Sequence, residues 1–294
     1  MGGSENMTKR LLITGERRSG TTLLARLLTA QPGISVKADA IHIHRIAQRL
    51  GVGLADALNE AQTTEAHRLA NADGAPVGLA VARTIAHGAS LLCLRDEWLR
   101  DLCAMEGASV IGHKTTFAHD AIKPILDNGD EEHVIYIHRD PRAVAASIIK
   151  PGWGNAYTAA LAWRHSWASK PGGQPRLYIL WFDLLVADPY TVCHDVCAWL
   201  GVPFDAGQVP AVMGEHNSAF GSAAGAIDRG KRLTPKQTSI VESLCHDQLI
   251  DAGYKLTRRR GRLERLRYEA MAMAVRGLRF GGRVMAGIER RLVG

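Results

Sequence analysis

The sequence predicts an α/β fold in three layers, with a parallel β-sheet flanked by helices on both faces. Short apolar runs alternate with helical stretches, and each run is continuous rather than alternating with polar residues, which is typical of parallel strands buried on both faces. The composition, 46% apolar and 22% charged, is that of an ordinary globular protein, and no uncharged apolar run is long enough to cross a membrane.

The apolar runs place five strands. They are expected at Lys9–Thr14, Ile34–Val36, Ser109–Gly112, His133–His138 and Leu177–Trp181. A glycine-bearing loop joins the first strand to a helix, and further helices are predicted at His119–Leu126, Pro141–Ile149, Asn155–Ser169, Pro189–Leu200 and Pro235–Ala252. The alanine-rich stretch from about 44 to 107 predicts a helical insertion. The glycine- and alanine-rich stretch Met213–Lys231 predicts a mobile loop.

The positive charge lies in the C-terminal tail. The net charge is +7, and residues 257–294 hold eleven arginines and three glutamates, so residues 1–256 carry a small negative charge. We therefore predict a domain over 1–256 and a basic tail over 257–294. A helical wheel places Arg265, Arg276, Arg279 and Arg283 on one side and Leu263, Leu266, Ala270, Met271, Ala274 and Leu278 on the other.

Three partners for this basic amphipathic helix stay open. Such a helix can lie on an anionic membrane surface, bind another protein, or pack its apolar side on its own domain. The rest of the chain carries no excess positive charge, which disfavours nucleic acid. The oligomeric state is not predicted.

The cysteines favour a reducing compartment. Five cysteines is an odd number, and they lie in apolar segments, so we expect structural thiols and a cytoplasmic protein, with the inner membrane face as the place where the tail would bind. Cys193 and Cys197 share a helix face, but no further ligand pair lies near them in the sequence, so no metal site is expected. The alanine- and arginine-rich composition favours a GC-rich bacterial source.

The segment Gly15–Thr22, GERRSGTT, has the glycine spacing of a phosphate-binding loop but lacks its lysine. In that loop, backbone N–H groups and a helix N-terminus surround the phosphate, while the lysine reaches the β- and γ-phosphates. Here Thr21 replaces the lysine, and positive charge lies inside the loop at Arg17 and Arg18. An arginine there would meet the oxygen that links a short anhydride. A glycine-bearing turn with incidental arginines is the alternative.

A second motif, Arg139-Asp140-Pro141-Arg142, follows the predicted strand HVIYIH. Arg139 stands at the carboxyl end of that strand, where open α/β sheets bind ligands, and Ser147 follows a little over two helical turns later. The two side chains could therefore face one anion. A kinase would show a carboxylate for magnesium at this strand end. The alternative is a surface ion pair between Arg139 and Asp140.

Taken together, RRSGTTLLARLL, IHRDPRAVAAS and LYILWFDLLVADPYTVCHDVCAWLGV resemble, in this order, the sulfotransferases that use 3′-phosphoadenosine 5′-phosphosulfate (PAPS). The resemblance spans Lys9 to about Tyr254. It implies an enzyme that transfers a sulfuryl group, without a metal, to a hydroxyl of a small-molecule, carbohydrate or lipid-linked acceptor. Two other hypotheses stay open, a P-loop nucleotide kinase or NTPase and a non-enzymatic membrane-associated binding protein.

The resemblance also implies residue roles. Together with Arg17, the residues Arg18, Ser19, Gly20, Thr21 and Thr22 correspond to the 5′-phosphosulfate loop, with Arg18 at the bridging oxygen. Arg139 and Ser147 match the pair that binds the 3′-phosphate. Arg229, Gly230 and Lys231 weakly match the loop that closes over that phosphate.

Three residues are candidates for the base that accepts the acceptor's proton. Asp39 falls where related bacterial sequences carry a glutamate thought to be the base, so it ranks first. His113, in the stretch GHKTT that matches the family's GEKTP, ranks second, and His42 ranks third. Lys114 of the same stretch is a candidate cation for the sulfuryl oxygens.

Overall fold

A computed structural model describes residues 8–38, 42–72, 88–103, 107–116, 118–168, 172–220, 232–257 and 261–274. The strands are β1 (Lys9–Gly15), β2 (Ile34–Ala38), β3 (Val110–Lys114), β4 (Glu132–His138) and β5 (Leu177–Trp181). They form one sheet in the order β2-β3-β1-β4-β5, and every neighbouring pair is parallel. The predicted α/β fold with a parallel sheet flanked by helices is confirmed.

The helices of the described residues are α1 (Thr21–Thr29), α2 (Ile43–Leu50), α3 (Glu60–Ala72), α4 (Leu91–Cys103), α5 (His119–Leu126), α6 (Pro141–Ile149), α7 (Ala156–Ala168), α8 (Phe182–Ala187), α9 (Pro189–Leu200), α10 (Gln208–Phe220), α11 (Pro235–Leu244), α12 (His246–Asp251) and α13 over 262–274. The predicted helical insertion contains α2, α3 and α4. The helix predicted over Pro235–Ala252 is two helices that meet at Cys245.

The mobile loop predicted to begin at Met213 is wrong as far as Phe220, because α10 continues to that residue. Gly214 lies inside the helix, where a glycine costs only about 1 kcal/mol relative to alanine. Packing offsets such a cost: α10 contacts α1, and Glu215 forms an ion pair with Arg26 of α1. Residues 221–231 lie outside the described residues.

The described residues form two compact units. The first, which we call the sheet unit, comprises the described residues of 1–138 and 169–224, and it contains the sheet with α1–α5 and α8–α10. The second, the helical unit, comprises those of 139–168 and 225–294, and it contains α6, α7 and α11–α13.

The core of the sheet unit includes the helical insertion. Leu12, Ile111 and Val134, from three neighbouring strands, cluster with buried residues of α2–α5, among them Trp98 and Leu99 of α4. The helices of the insertion therefore cover a face of the sheet and contribute to its stability.

A buried ion network also attaches α4 to the sheet. Arg95 of α4 donates to Asp96 at 2.9 Å and to Glu132 at the start of β4, and Arg10 of β1 donates to the same Glu132 carboxylate at 2.7 Å. Arg95 and Glu132 are each 1% exposed. Because unpaired buried charges are costly, this network fixes the position of α4 on the strands.

The tail helix α13 packs within the helical unit through the side opposite to Leu263 and Leu266. Tyr268 and Ala272 join the apolar core of α6, α7, α11 and α12, and Glu269 pairs with Arg164 of α7. The apolar side faces outward, with Leu263 83% and Leu266 54% exposed. The exposure of Leu263 and Leu266 does not favour packing of this part of the apolar side on its own domain, although Met271 accepts a hydrogen bond from Tyr157.

Among the described helices, none combines the length and the apolar character that crossing a bilayer requires. Arg276, Arg279 and Arg283, which complete the predicted basic side, lie outside the described residues.

Candidate active site

In the sheet unit, the predicted site residues lie at the carboxyl edge of the sheet. Gly15 ends β1 beside Ile137 of β4, and Ile13 pairs with Lys114 at the end of β3. Ligands of open parallel α/β sheets bind at this edge. The loop over 15–20 then leads into α1, whose N-terminus presents backbone N–H groups to an anion.

Neighbouring groups explain the two glycines of the loop. A Cβ added at Gly20, where φ is 97°, would lie 2.3 Å from Cδ2 of Phe182, and a Cβ at Gly15 would lie 2.5 Å from the carbonyl oxygen of Ile137. The end of β4 and the first residue of α8 lie so close to the loop that positions 15 and 20 leave no room for a side chain.

Arg18 has a left-handed backbone. Its φ of 67° is the one positive value at a non-glycine position within the described ranges. Left-handed φ is uncommon outside glycine, and strain of this kind clusters at functional sites. The side chains of Arg17 and Arg18 are exposed, whereas Ser19 is buried and its N–H and hydroxyl both donate to the carbonyl of Glu16. The hydroxyl of Ser19 thus shapes the loop, and the arginines extend from it.

Glu16 is a feature of this loop that the sequence analysis missed. It is 3% exposed, and Oε1 accepts the backbone N–H of Arg17 at 2.8 Å, while Oε2 has no hydrogen-bond partner among the described residues. Burial raises the pKa of Glu16 to about 7, against the opposing effects of the Arg17 N–H group and charge. A carboxyl group placed between the strand and two arginines is the signal that could have identified it.

The candidate bases differ in what surrounds them. His42 is buried, and its Nδ1 lies 2.7 Å from Oγ1 of Thr115, the residue after Lys114. His113 is 1% exposed, and neither ring nitrogen has a hydrogen-bond partner among the described residues. Burial, with the charges of Arg95, His44 and His42, lowers the pKa of His113 well below its ordinary value, so it is neutral at pH 7.

Two further residues complete this group of side chains. His44, whose ring centroid lies 6.1 Å from that of His42, has its pKa lowered to about 4 by burial and then by the charge of His42. Lys114 is buried at the end of β3. Asp39, the candidate ranked first for the base, lies outside the described residues.

The second pair of predicted donor-binding residues lies in the helical unit. Arg139 is 3% exposed, and its carbonyl accepts the Nε1–H of Trp163 at 2.8 Å; Ser147 is buried in α6. Asp140 pairs with Arg142 at 2.7 Å, and it caps α6 by accepting the Arg142 N–H. The alternative of an Arg139–Asp140 pair on the surface is not favoured by this arrangement. Arg229, Gly230 and Lys231 lie outside the described residues.

The sequence analysis also missed the residues that hold Arg142. Nη1 of Arg142 donates hydrogen bonds to Oε1 of Glu242 in α11 at 2.9 Å and to the carbonyl oxygen of Lys255 at 2.8 Å. Glu242 is fully buried and also accepts the hydroxyl of Thr257 at 2.8 Å. The cap at Asp140 is readable from the sequence, but a partner one hundred residues away has no local signal.

The fold and the loop define the class of protein, an α/β protein with a P-loop-like anion-binding turn at the carboxyl edge of a parallel sheet. The family model described as "Sulfotransferase family" matches residues 10–206. The chain therefore belongs to the sulfotransferase family, whose members are PAPS-dependent transferases.

Solved structures support the same fold. The sulfotransferase domain of the Synechococcus PCC 7002 olefin synthase is similar, with 19% identity, 87% of this chain and 98% of that chain covered, and a TM-score of 0.56. The sulfotransferase domain of the curacin biosynthetic pathway is 17% identical, with 84% of this chain and 98% of that chain covered and a TM-score of 0.57. Sulfotransferase STF9 of Mycobacterium avium is 15% identical, with 86% of this chain and 79% of that chain covered and a TM-score of 0.50. A comparison with curated proteins returned no match.

Proposed function

We propose that this chain transfers a sulfuryl group from PAPS to a hydroxyl of an acceptor. The observation that carries the proposal is the loop over 15–20. It stands at the carboxyl edge of the sheet, and its glycines are required by Phe182 and Ile137. It also carries Arg18, which has a left-handed backbone and is a cation that could stabilise a leaving bridging oxygen. Sulfuryl transfer, like phosphoryl transfer, depends mainly on positioning and charge stabilisation.

In this proposal the loop residues Arg17 to Thr22 bind the 5′-phosphosulfate, and Arg18 stabilises the charge that develops on the bridging oxygen. Arg139 and Ser147 bind the 3′-phosphate, and Arg229, Gly230 and Lys231 close over it. Burial of Arg139 supports selectivity, because a buried guanidinium forms strong charge-assisted hydrogen bonds with a 3′-phosphate, and a donor that lacks this phosphate would not gain them. Lys114 neutralises the sulfuryl oxygens, and no metal takes part.

For the base, the contacts in the sheet unit favour His42 over His113. Nδ1 of His42 lies 2.7 Å from the hydroxyl of Thr115, a contact that orients the ring, and a neutral imidazole can accept a proton. His113 is enclosed on all sides and its pKa is strongly lowered, so it is a poor match for a base that must reach a substrate. Asp39 stays the competing candidate, because its position in the sequence matches the family's glutamate.

The acceptor is a hydroxyl-bearing molecule, of small-molecule, carbohydrate or lipid-linked type. The insertion of α2–α4 lies between the candidate bases in the sequence, and we propose that it forms the wall of the acceptor pocket.

The donor is tested by differential thermal stabilisation. Adenosine 3′,5′-bisphosphate should raise the melting temperature more than ADP with magnesium does, because a ligand that binds the folded state adds apparent stability. In Arg139→Ala this preference should be lost, and in Arg68→Ala, which removes an exposed arginine of α3, it should persist. A larger effect of ADP with magnesium would refute the proposal and favour a kinase or NTPase.

Turnover is the second test. Labelled sulfate should pass from PAPS into hydroxyl compounds of a cell extract, and the product identifies the acceptor class. A protein that binds the bisphosphate but transfers sulfate to no acceptor would be a binding protein with a sulfotransferase fold.

We also propose that the tail binds an anionic membrane surface. The exposed apolar side of α13, with Leu263 and Leu266 next to arginines, is the observation that favours a membrane partner. Because Tyr268 and Ala272 belong to the core, deletion of the tail would disturb folding. The sharper variant is Leu263→Ser with Leu266→Ser, and equal partitioning of this variant and the wild type onto anionic vesicles would refute the proposal.

A further inference from the structure

A cavity in the helical unit is lined by basic side chains. It measures about 230 Å³ and lies among residues of α7, α11, α12 and α13. That volume accommodates several water molecules, at about 30 Å³ each in the liquid, or one tetrahedral oxyanion. None of its lining residues belongs to the motifs assigned above to the donor or the acceptor, so the cavity is a separate feature.

The charged groups around the cavity leave an excess of positive charge. Arg164 pairs with Glu269, with Nη2 and Oε2 3.2 Å apart, and Arg265 donates from Nη1 to Asp247 at 3.2 Å. Arg262 also lines the cavity, and no ion partner for it is found among the described residues. Three arginines therefore face two carboxylates, and an anion would balance them.

Two buried donors at the cavity are unused. Ser243 is 3% exposed, and its hydroxyl has no hydrogen-bond partner among the described residues; the same holds for Nε of Arg265. Buried polar groups are normally hydrogen-bonded, because leaving one without a partner costs free energy. Ser243 on α11 and the arginines at 262 and 265, which share one face of α13, approach the cavity from different elements. Donors in this arrangement require a ligand that accepts hydrogen bonds on several sides.

We propose that this cavity binds a dianionic tetrahedral oxyanion. The ligand is a free phosphate or sulfate ion, or the terminal phosphate of a phosphomonoester lipid. Ser243, Arg262 and Nε of Arg265 donate to its oxygens, and the charge of Arg164 adds to the attraction. The lipid source has a structural basis, because Leu266 lines the cavity and is also part of the exposed apolar side of α13.

The free ion is tested by calorimetric titration of inorganic phosphate at constant ionic strength, with saturating adenosine 3′,5′-bisphosphate present to occupy the donor site. The test variant is Ser243→Ala with Arg262→Ala, since neither side chain has a partner that folding requires. Losing two donors, one of them charged, should weaken phosphate binding about tenfold or more. The matched control, Arg267→Ala, removes an exposed arginine of the same helix that does not line the cavity and should bind as the wild type does.

The lipid source is tested with vesicles of equal surface charge that contain either phosphatidic acid, a phosphomonoester, or phosphatidylglycerol, a phosphodiester. Preference for phosphatidic acid that disappears in the double variant assigns the site to a lipid headgroup. Weakened phosphate binding without a lipid preference assigns it to a free ion. Unchanged phosphate affinity in the double variant, together with equal binding to both kinds of vesicle, overturns the proposal. Because the readout is the difference between variants, it does not depend on whether the chain uses PAPS.

Discussion

Replacing Arg142 by methionine should destabilise the helical unit strongly. The guanidinium pairs with Asp140 and Glu242 and donates to the carbonyl of Lys255, so it joins the start of α6 to α11 and to the chain beyond α12. Although burial favours its neutral form, hydrogen bonds and charge interactions with Asp140 and Glu242 raise the pKa of Arg142. Methionine keeps only the aliphatic part of the side chain and removes the cation that pairs with the fully buried carboxylate of Glu242.

Breaking a buried pair by removing one partner costs about 3–5 kcal/mol. For a chain of this size the melting temperature should fall by roughly 6–12 °C. The assay is urea unfolding followed by circular dichroism, together with thermal scans. A second variant, Arg142→Met with Glu242→Gln, should recover part of the loss, because it removes the unpaired charge. Arg68→Met, at an exposed pair with Glu65, is the matched control. If Arg142→Met lowers the free energy of unfolding no more than Arg68→Met does, the contacts of Arg142 do not hold α6 in place.

Three further predictions concern the sheet unit. Burial raises the pKa of Glu16 to about 7, above the value near 4.5 of an unfolded chain, so its contribution to stability is lost as pH rises from about 4.5 to 7. Glu16→Gln should therefore match the wild type at pH 4.5 and exceed it by up to about 3 kcal/mol at pH 8, as measured by urea unfolding; parallel curves would contradict this. Arg18→Gly and Arg18→Ala should both reduce sulfate transfer by about 100-fold or more, whereas the glycine variant should be the more stable by about 1 kcal/mol, because only glycine relieves the left-handed backbone. His42→Gln should lower kcat by about 100-fold with bisphosphate binding unchanged; a near-normal kcat, with a large loss in Asp39→Asn, would move the base to Asp39.

The sheet could be predicted from the sequence because its signal is local. Each strand is a continuous apolar run, and each run maps to one strand of the sheet within two residues at either end. Family motifs then predicted the loop and the candidate donor-binding residues. Helix α10 was missed because Gly214, Asn217 and Ser218 are weak helix formers, and contacts with α1 decide the outcome.

Features that depend on distant residues escaped prediction for a physical reason. The sequence gives no indication that Glu242 lies beside Arg142, or that Phe182 lies against Gly20, since contacts between distant segments are set by the fold. The side through which α13 packs likewise depends on contacts with distant segments, so the sequence does not predict it. The helix packs through Tyr268, Glu269 and Ala272, because Arg164 and the apolar core of the helical unit provide partners on that side.

In the loop GERRSGTT, shape and charge are supplied by different residues. Gly15, Ser19 and Gly20 are held by neighbouring backbone and by Phe182, and they set the path of the chain. Arg17 and Arg18 are exposed and carry the charge. A P-loop lysine would follow the second glycine and enter from the helix, whereas these arginines precede it. Substitutions at the buried positions should therefore impair folding and binding together, but substitutions at Arg18 should impair the transfer step while the loop keeps its form.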